Sequence, residues 1–331
     1  MQQNSTLKKL AEILHLSVST VSRALKDHPD ISEQTKKKVQ ELALILEYEP
    51  NNFAIQLRNN TSKVFGIIVP TVDNFFYESF IDAVEKEARL NNYSVLIMQS
   101  GESKDAEIAN LKILKNNRVA GIFVSITSET IDIEPFLKLQ KLNIPILFFD
   151  RVPEHDACNK ICFEDKLAAK IATNAFIVKP KKHVLALFGH GNLSISKRRL
   201  ESFKEVFALN SPNTQLTIHF PLSLNESKNF TLKALEQPNT PDGIFCMGDL
   251  ILVGAMQAVH EKKLQVPNDI AIVTISNGFI PTMYNPKITY VETSGFKLGK
   301  LAFNRMMSCL DGDTILKELR VDSILVTGGS L

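Results

Sequence analysis

The sequence has no hydrophobic run long enough to cross a membrane. Its apolar stretches fall well short of the roughly twenty residues that a transmembrane helix requires, and the N-terminus lacks the apolar segment of a signal peptide. The formal net charge of the 331-residue chain is only +2, so the overall charge does not point to nucleic acid. The sequence therefore predicts a cytoplasmic protein that has no membrane partner.

Cysteine is scarce, and its spacing argues against two classes of protein. The four cysteines lie in apolar stretches and match no zinc-binding pattern, at Cys158, Cys162, Cys246 and Cys309. A disulfide scaffold or a zinc finger is therefore not expected, and the thiols are predicted to be reduced and structural. We expect no metal and no other cofactor.

The motifs of common enzyme classes are also missing. The chain has no Gly-x-Ser-x-Gly elbow, no Walker loop and no His-Glu-x-x-His helix. Gly189 and Gly191 follow a predicted strand, but serine at position 194 takes the place of the third glycine of a dinucleotide fingerprint. We therefore expect a protein that is not an enzyme, and we assign no catalytic residue.

Three short amphipathic helices are predicted in the first fifty residues. The first has an apolar stripe and a possible N-cap at Thr6, the second begins after Ser17, and the third begins after Ser32. The predicted inward positions are Leu7, Leu10, Ala11, Leu14, Val21, Ala24, Leu25, Val39, Leu42, Ala43 and Leu46. Residues 36–38 are three lysines that we expect to lie outward. The short turn between the first two helices favours a helix-turn-helix, although a plain three-helix cap has the same pattern.

The rest of the chain alternates β-rich runs with amphipathic stretches. The predicted strands are 64–69, 94–98, 120–124, 145–149, 183–188, 242–246, 269–275 and 288–291. Such a series is typical of parallel sheets with helices on both faces, here in two doubly wound lobes. With 44% hydrophobic residues the chain can bury a large core.

Several motifs together resemble the lactose-repressor (LacI/GalR) family of transcription regulators. They are the run from Val18 to Leu25, the helix start Ile31-Ser-Glu-Gln-Thr35 and the exit Tyr48-x-Pro-Asn51, which match without a gap over residues 5–62. Further landmarks continue the match over almost the whole chain, at 69–70, 74–77, 149–151, 199–203, 245–249 and 266–269.

The resemblance implies an α-helical helix-turn-helix domain at residues 1–50 and a hinge helix or linker at 51–62. An α/β periplasmic-binding-protein-like core follows at 63–331. Its first lobe would comprise about 63–160 and 289–331, and its second lobe about 161–288. Three chain crossings between the lobes would make a hinged clamshell with a ligand cleft.

The resemblance also implies which residues touch DNA. The second helix would enter the major groove, with Val18 and Ser19 at base edges and Arg23 at a base or a phosphate. The residues expected at phosphates are Thr6, Ser17, Thr20, Ser22 and Asn51. His15 departs from the family, which usually has glycine in this turn, but histidine tolerates a positive φ better than most residues.

The segment after the third helix is too short and polar to form an isolated helix. By resemblance it orders on operator DNA, where Leu57 from two subunits forms a wedge in the minor groove and Arg58 lies beside it. The alternative is a plain linker in which Leu57 has no special role.

The effector site implied by the resemblance lies between the lobes. Phe75, Phe76 and Tyr77 would form an apolar wall, while Asp150 and Arg199 would bind hydroxyls or a carboxylate. Phe245 and Asp249 would come from a strand-to-helix turn, and Ser276 stands where the family usually has an aspartate that takes sugar hydroxyls. Most of these residues have an alternative role. Phe75, Phe76 and Tyr77 could simply pack within the lobe, and Asp150 could form a surface ion pair with Arg151 or a turn. Arg199 could be one of several solvated charges in the run 197–199, and Asp249 could also cap the following helix.

These features together predict a homodimeric, repressor-type regulator. Its partners would be double-stranded, pseudo-palindromic operator DNA and a small-molecule effector, namely a sugar, a sugar phosphate or a nucleoside. A binding protein with an idle DNA module is the alternative, and a carbohydrate-active enzyme on a two-lobed fold is a more distant one.

Overall fold

The computed structural model describes residues 7–48 and 62–331. Contacts within the chain divide it into two compact units, with the boundary between Ser62 and Lys63. The predicted DNA contacts Thr6, Asn51, Leu57 and Arg58 lie outside the described residues, as does almost all of the predicted hinge. None of the described helices is long and apolar enough to span a membrane.

The first unit contains three helices, α1 (Leu7–Leu14), α2 (Val18–Leu25) and α3 (Glu33–Ile45). The serines predicted to cap α2 and α3 do so. The backbone N–H of Thr20 donates to Ser17 Oγ over 3.0 Å, and that of Thr35 donates to Ser32 Oγ over 3.3 Å. His15, in the turn between α1 and α2, has a φ of 52°, as the substitution for glycine led us to expect. A small core joins the helices, formed by Leu10, Ala11, Val21, Ala24, Val39 and Ala43.

Lys36 corrects the prediction that residues 36–38 all lie outward. Its side chain is 9% exposed, and its Nζ lies 2.7 Å from carboxylate oxygens of both Asp27 and Glu33. These two hydrogen bonds raise the pKa of Lys36. Asp27 belongs to the loop that precedes α3, so helical periodicity alone could not reveal this partner.

The second unit contains twelve strands and eight further α-helices among the described residues. The strands are β1 (Val64–Val69), β2 (Ser94–Gln99), β3 (Gly121–Val124), β4 (Ile146–Phe149), β5 (Asn159–Phe163), β6 (His183–Leu187), β7 (Gln215–His219), β8 (Gly243–Cys246), β9 (Ala271–Ser276), β10 (Thr289–Glu292), β11 (Glu318–Val321) and β12 (Ile324–Val326). The helices are α4 (Phe75–Leu90), α5 (Lys104–Asn116), α6 (Glu134–Gln140), α7 (Asp165–Ile177), α8 (Ser194–Asn210), α9 (Leu224–Leu235), α10 (Asp249–Glu261) and α11 (Gly295–Leu310).

The strands form two six-stranded sheets, which confirms the predicted pair of doubly wound lobes. The first sheet has the order β11-β5-β4-β3-β1-β2, and the second has the order β12-β10-β9-β8-β6-β7. All pairings are parallel except that of β12 with β10. Helices cover both faces of each sheet: α4 and α11 oppose α5 and α6 in the first lobe, while α7 and α8 oppose α9 and α10 in the second. The central strands are buried on both sides and therefore read as continuous apolar runs.

The lobe boundaries differ from those that the resemblance implied. The strand Thr289–Glu292 was assigned to the first lobe, but it pairs with β9 and lies in the second sheet. The chain returns to the first lobe only at Gly295, where α11 begins. Asn159–Phe163 lies wholly in the first sheet, and Ile324–Val326 lies in the second. The chain therefore crosses three times, after β5, after β10 and after β11.

Gly254 offers a test of how closely the helices of the second lobe pack. A Cβ at this position of α10 would overlap the carbonyl oxygen of Leu224 and lie 2.7 Å from Ser227 Cβ, and both of these residues belong to α9. Alanine in a helix gains about 1 kcal/mol over glycine, whereas overpacking against backbone costs about 1–3 kcal/mol. Because the Cβ would overlap a backbone oxygen, the cost lies in the upper part of that range, and we expect Gly254→Ala to lower the free energy of unfolding in urea by about 1–2 kcal/mol.

Gly248→Ala is the matched control, because a Cβ there meets nothing within 4 Å. Equal urea midpoints for Gly254→Ala and the unmodified protein would contradict the tight contact between α9 and α10.

Candidate nucleic-acid and ligand-binding sites

The exposed face of α2 carries the side chains that were predicted to touch DNA. Ser17, Val18, Ser19 and Arg23 are exposed, and Thr20 and Ser22 are partly exposed. Val18 is 45% exposed although it is apolar, because it occupies the first helical position while Val21 and Ala24 form the core. The helix therefore presents a short apolar group and several hydroxyls at its N-terminal end, a combination that can approach base edges closely.

The polar groups of this face are only loosely held by the protein. Ser17 Oγ lies 2.7 Å from Ser19 Oγ and 2.8 Å from Thr20 Oγ1, in a cluster that caps α2. Arg23 Nη1 lies 3.8 Å from Asp30 Oδ2 in an exposed ion pair. Exposed pairs of this length contribute little to stability, so Arg23 can exchange Asp30 for a phosphate at small cost.

A cleft of about 410 Å³ lies in the second unit, where the carboxyl ends of both parallel sheets face each other. In open α/β sheets these ends are the usual place for ligands. The first lobe contributes Asn74, Phe76, Tyr77, Glu102, Ser128, Glu129, Asp150, Arg151 and Phe163. The second lobe contributes residues that include His190, Leu193, Arg199, Met247, Asp249, Ser276 and Asn277. The first lobe thus supplies the phenyl and phenol rings, and both lobes supply acidic and hydrogen-bonding groups to one cavity.

Six of the eight predicted effector residues line this cleft: Phe76, Tyr77, Asp150, Arg199, Asp249 and Ser276. The other two do not. Phe245 is fully buried in the sheet–helix core, where its ring centroid lies 4.8 Å from that of Phe203. Phe75 turns away from the cavity, packs against the second-lobe core and places its ring centroid 5.6 Å from that of Phe279. Both side chains therefore pack in the core and do not form part of the predicted ligand wall.

Asp150 is held at the end of β4 by the first residues of α4. Its Oδ2 accepts a hydrogen bond of 3.1 Å from the Tyr77 hydroxyl, which also lies 3.0 Å from Ser125 Oγ. Asp150 has a φ of 57°, a left-handed conformation that aspartate adopts more readily than most residues. Burial raises the pKa of Asp150 and that of Tyr77. The carboxyl group is therefore an oriented hydrogen-bonding group on the first-lobe side.

Arg199 is fixed on the second-lobe side by a buried ion pair. Its Nε lies 3.0 Å from Asp165 Oδ1, and its Nη1 donates to the Met247 carbonyl over 3.2 Å. The side chains of Arg199 and Asp165 are 5% and 3% exposed, so this guanidinium is not one of several solvated charges. Burial raises the pKa of Asp165 to about 6, although Arg199 opposes the shift. The ion pair places the guanidinium at the cavity before a ligand arrives.

Asp249 does not cap α10 as the alternative reading had it, because the N-cap residue is Gly248 and Asp249 is the first helical residue. The Ser276 hydroxyl donates to Asp249 Oδ1, and the backbone N–H of Asn277 donates to Oδ2 over 3.1 Å. Burial raises the pKa of Asp249. Ser276 is thus a donor to a neighbouring carboxylate, and Asp249 supplies the acceptor at this edge.

Glu102, Arg151 and Asn277 are among the cleft residues that the sequence did not predict as ligand contacts. Arg151 was considered as a partner of Asp150, but its Nη1 lies 2.5 Å from Glu102 Oε1. Burial would raise the pKa of Glu102, yet Arg151 and the hydrogen bonds from Ser128 outweigh it and lower the pKa. Glu102 and Asn277 follow the carboxyl ends of β2 and β9, so the strand-end rule could have found them.

Within residues 7–48 and 62–331, no group of three or more histidine, cysteine or acidic side chains is arranged to hold a metal ion. The four cysteines are free thiols, three of them buried.

Comparison with known proteins matches two family descriptions. Residues 6–51 match the bacterial regulatory proteins of the lacI family, and residues 177–331 match the periplasmic binding protein-like domain. Among curated proteins, the ribose operon repressor of Halalkalibacterium halodurans is 27% identical over 298 residues, which cover 90% of this chain and 88% of that protein. The transcriptional repressor PurR of Actinobacillus pleuropneumoniae serotype 3 is 29% identical over 309 residues, covering 92% and 90%.

Solved structures with low sequence identity show the same fold. The lac repressor dimer bound to operator and the anti-inducer ONPF has a TM-score of 0.86 at 21% identity, and 99% of each chain is covered. A LacI family regulator from Enterococcus faecium, solved with bound ribose, has a TM-score of 0.73 at 17% identity and covers 81% of this chain and 98% of its own.

The pKa of Asp165 gives a pH-dependent test of the buried ion pair. Because its folded-state pKa is raised to about 6 from 3.8, the folded protein holds this proton between about pH 4 and 6 while the unfolded chain releases it. Asp165 therefore makes the free energy of unfolding fall as pH rises through this window. A shift of this size corresponds to about 2–3 kcal/mol.

We expect Asp165→Asn to remove this part of the decline when unfolding in urea is measured from pH 4 to 7. Glu205→Gln, an exposed substitution on α8, is the control and should keep the profile of the unmodified protein. Parallel profiles for Asp165→Asn and the unmodified protein would show that Asp165 does not titrate in this range.

Proposed function

Because this chain belongs to the lacI family of bacterial regulatory proteins, which are DNA-binding repressors and not enzymes, we propose that a small molecule in the cleft of its second unit controls its binding to operator DNA. The observation that carries the proposal is that six predicted effector residues from two lobes line one cleft of about 410 Å³. The protein works where operator DNA is found, in the cytoplasm.

On the DNA side, α2 is the recognition helix. Val18 and Ser19 face base edges, Arg23 reaches a base or a phosphate, and the hydroxyls of Ser17, Thr20 and Ser22 serve as phosphate contacts. One such helix covers only half of an operator, so a homodimer on a pseudo-palindromic site is the working form. The lac repressor dimer on its operator is a precedent in a protein of the same fold.

The second unit offers a surface for this dimer. Strand β2 is at the edge of the first sheet, and its Leu96 and Ile97 are 38% and 44% exposed. An apolar sheet edge open to water is unfavourable in a lone protomer. We infer that a second copy of the chain covers this edge.

The effector is a sugar, a sugar phosphate or a nucleoside. Asp150 and Asp249 accept hydrogen bonds from hydroxyl or amine groups, Arg199 donates, and Phe76 provides an apolar surface for a ring. Ribose in the Enterococcus faecium structure and the name of the Halalkalibacterium relative are consistent with this class of ligand.

Selection of bound sequences from a randomised duplex library tests the DNA-binding side. At about 150 mM salt, where non-specific phosphate binding is suppressed, we expect a near-palindrome with a flexible pyrimidine–purine step at its centre. The central step reports on the proposed Leu57 wedge. Ser19→Ala should relax the preference at one position of each half-site by about 1–3 kcal/mol.

Lys115→Ala is a matched control, because Lys115 is an exposed cation on α5 that has no proposed DNA contact. No enriched sequence with the unmodified protein, with or without cell metabolites, would favour a binding protein whose DNA module is idle.

A further inference from the structure

The side-chain amide of Asn277 bridges the two lobes. Asn277 follows β9 of the second lobe, yet its Nδ2 donates to the carbonyl of Phe75 over 3.2 Å. Its Oδ1 accepts a 2.8 Å hydrogen bond from the backbone N–H of Gly295. Phe75 and Gly295 are the first residues of α4 and α11, which both belong to the first lobe. One amide thus satisfies a donor and an acceptor on two helices of the opposite lobe.

The two helices that receive this amide are locked together at the same point. A Cβ on Gly295 would overlap the carbonyl oxygen of Phe76, and one on Gly299 would lie 2.7 Å from that of Phe80. The N-terminal turns of α4 and α11 therefore move as one body. Because Phe76 and Tyr77 belong to the first turn of α4, that body also carries the first-lobe wall of the cleft.

The backbone of Asn277 connects the same residue to the ligand cavity. Its N–H donates to Asp249 Oδ2 over 3.1 Å, while the preceding Ser276 donates to Asp249 Oδ1. Asp249, Ser276 and Asn277 all line the cleft. A ligand donor that takes Asp249 as its acceptor shares this carboxylate with the turn, so its binding is coupled to the placement of the turn that carries the bridging amide.

We propose that Asn277 is a positioning residue that couples occupancy of the cleft at Asp249 to the relative placement of the two lobes. The inference rests on the proposed function, because it assigns a mechanical role within the same effector cleft. Asn277 holds the lobes in the arrangement seen here, and a ligand that engages Asp249 loosens or re-forms this bridge. The ring contact between Phe75 and Phe279 does not involve the amide and remains when the amide is removed.

The test measures the distance between the lobes in the full-length protein without DNA or ligand. Nitroxide labels are placed on Ile131→Cys in the first lobe and Leu209→Cys in the second, both highly exposed sites, in a Cys309→Ser background because the other cysteines are buried. Excess unlabelled protein ensures that most dimers carry one labelled subunit. We expect Asn277→Ala to broaden or shift the distance distribution by several ångströms and to change operator affinity at least fivefold. Asn268→Ala, an exposed asparagine of the same lobe, should change neither.

Asn277→Asp separates bridging from simple folding. A protonated aspartic acid can donate to Phe75 and accept from Gly295 as asparagine does, whereas a carboxylate cannot donate and lies beside Asp249. We expect the Asn277→Asp distances to match Asn277→Ala at pH 8 and to return toward the unmodified protein at pH 5. The unmodified protein, measured at both pH values, controls for protonation changes elsewhere in the cleft, including those at Asp249 and Asp150.

Unchanged distances in Asn277→Ala would overturn the bridging role, and so would Asn277→Asp distances that match those of the unmodified protein at pH 8. The distance measurement does not depend on DNA. Failure of the unmodified protein to bind any operator would therefore count against the proposed function and leave the interlobe result to be judged by itself.

Discussion

The close contact of α11 with α4 determines how the two lobes are joined. After β10 the chain leaves the second sheet, and α11 carries it back to the first lobe, where only glycine at 295 and 299 lets the helix reach the backbone of α4. This contact fixes the first turn of α4 and hence Phe76 and Tyr77 at the cleft. It also creates the pair of backbone groups to which Asn277 binds. The same packing that closes the first-lobe core therefore sets the geometry of the site.

Acidic groups in and beside the cleft have charges that are controlled by local partners. Asp165 pairs with Arg199, and Glu102 pairs with Arg151. Asp150 and Asp249 instead receive hydrogen bonds from hydroxyl and backbone donors. Burial of a carboxylate without a full counter-charge is costly, so both groups gain when a ligand offers further donors. The site is thus oriented in advance and still has unused capacity to accept hydrogen bonds.

Sequence patterns predicted the fold and much of the site for a physical reason. Fully buried parallel strands leave continuous apolar runs, and residues just after such strands, such as Asp150 and Asp249, are forced to one edge of the sheet. Some strands contain polar or exposed residues and have no continuous apolar run, and the sequence therefore did not predict them. For example, β5 begins with Asn159, which is buried because its Oδ1 accepts hydrogen bonds from Arg305 and Lys317, residues distant in the chain.

The errors arose where a distant partner decides a side chain's position. Phe245 lies in the core because Phe203 and Phe188 pack against it, and Lys36 is buried because Asp27 and Glu33 bind it. The packing of Phe245 and the contact of Lys36 with Asp27 leave no periodic signal. Asn277 is the clearest case, because its role depends on two helices that begin about 200 residues earlier and 18 residues later, as its contacts with Phe75 and Gly295 show.

The central proposal is that a ligand in the cleft and operator DNA act on one conformational equilibrium. The most direct test is to measure the affinity of a cleft ligand, found by screening sugars and nucleosides, for the free protein and for its complex with operator. Linkage requires that the ligand change operator affinity by the same factor by which operator changes ligand affinity. We expect equal factors of at least about fivefold. Equal ligand affinity with and without operator would contradict allosteric control.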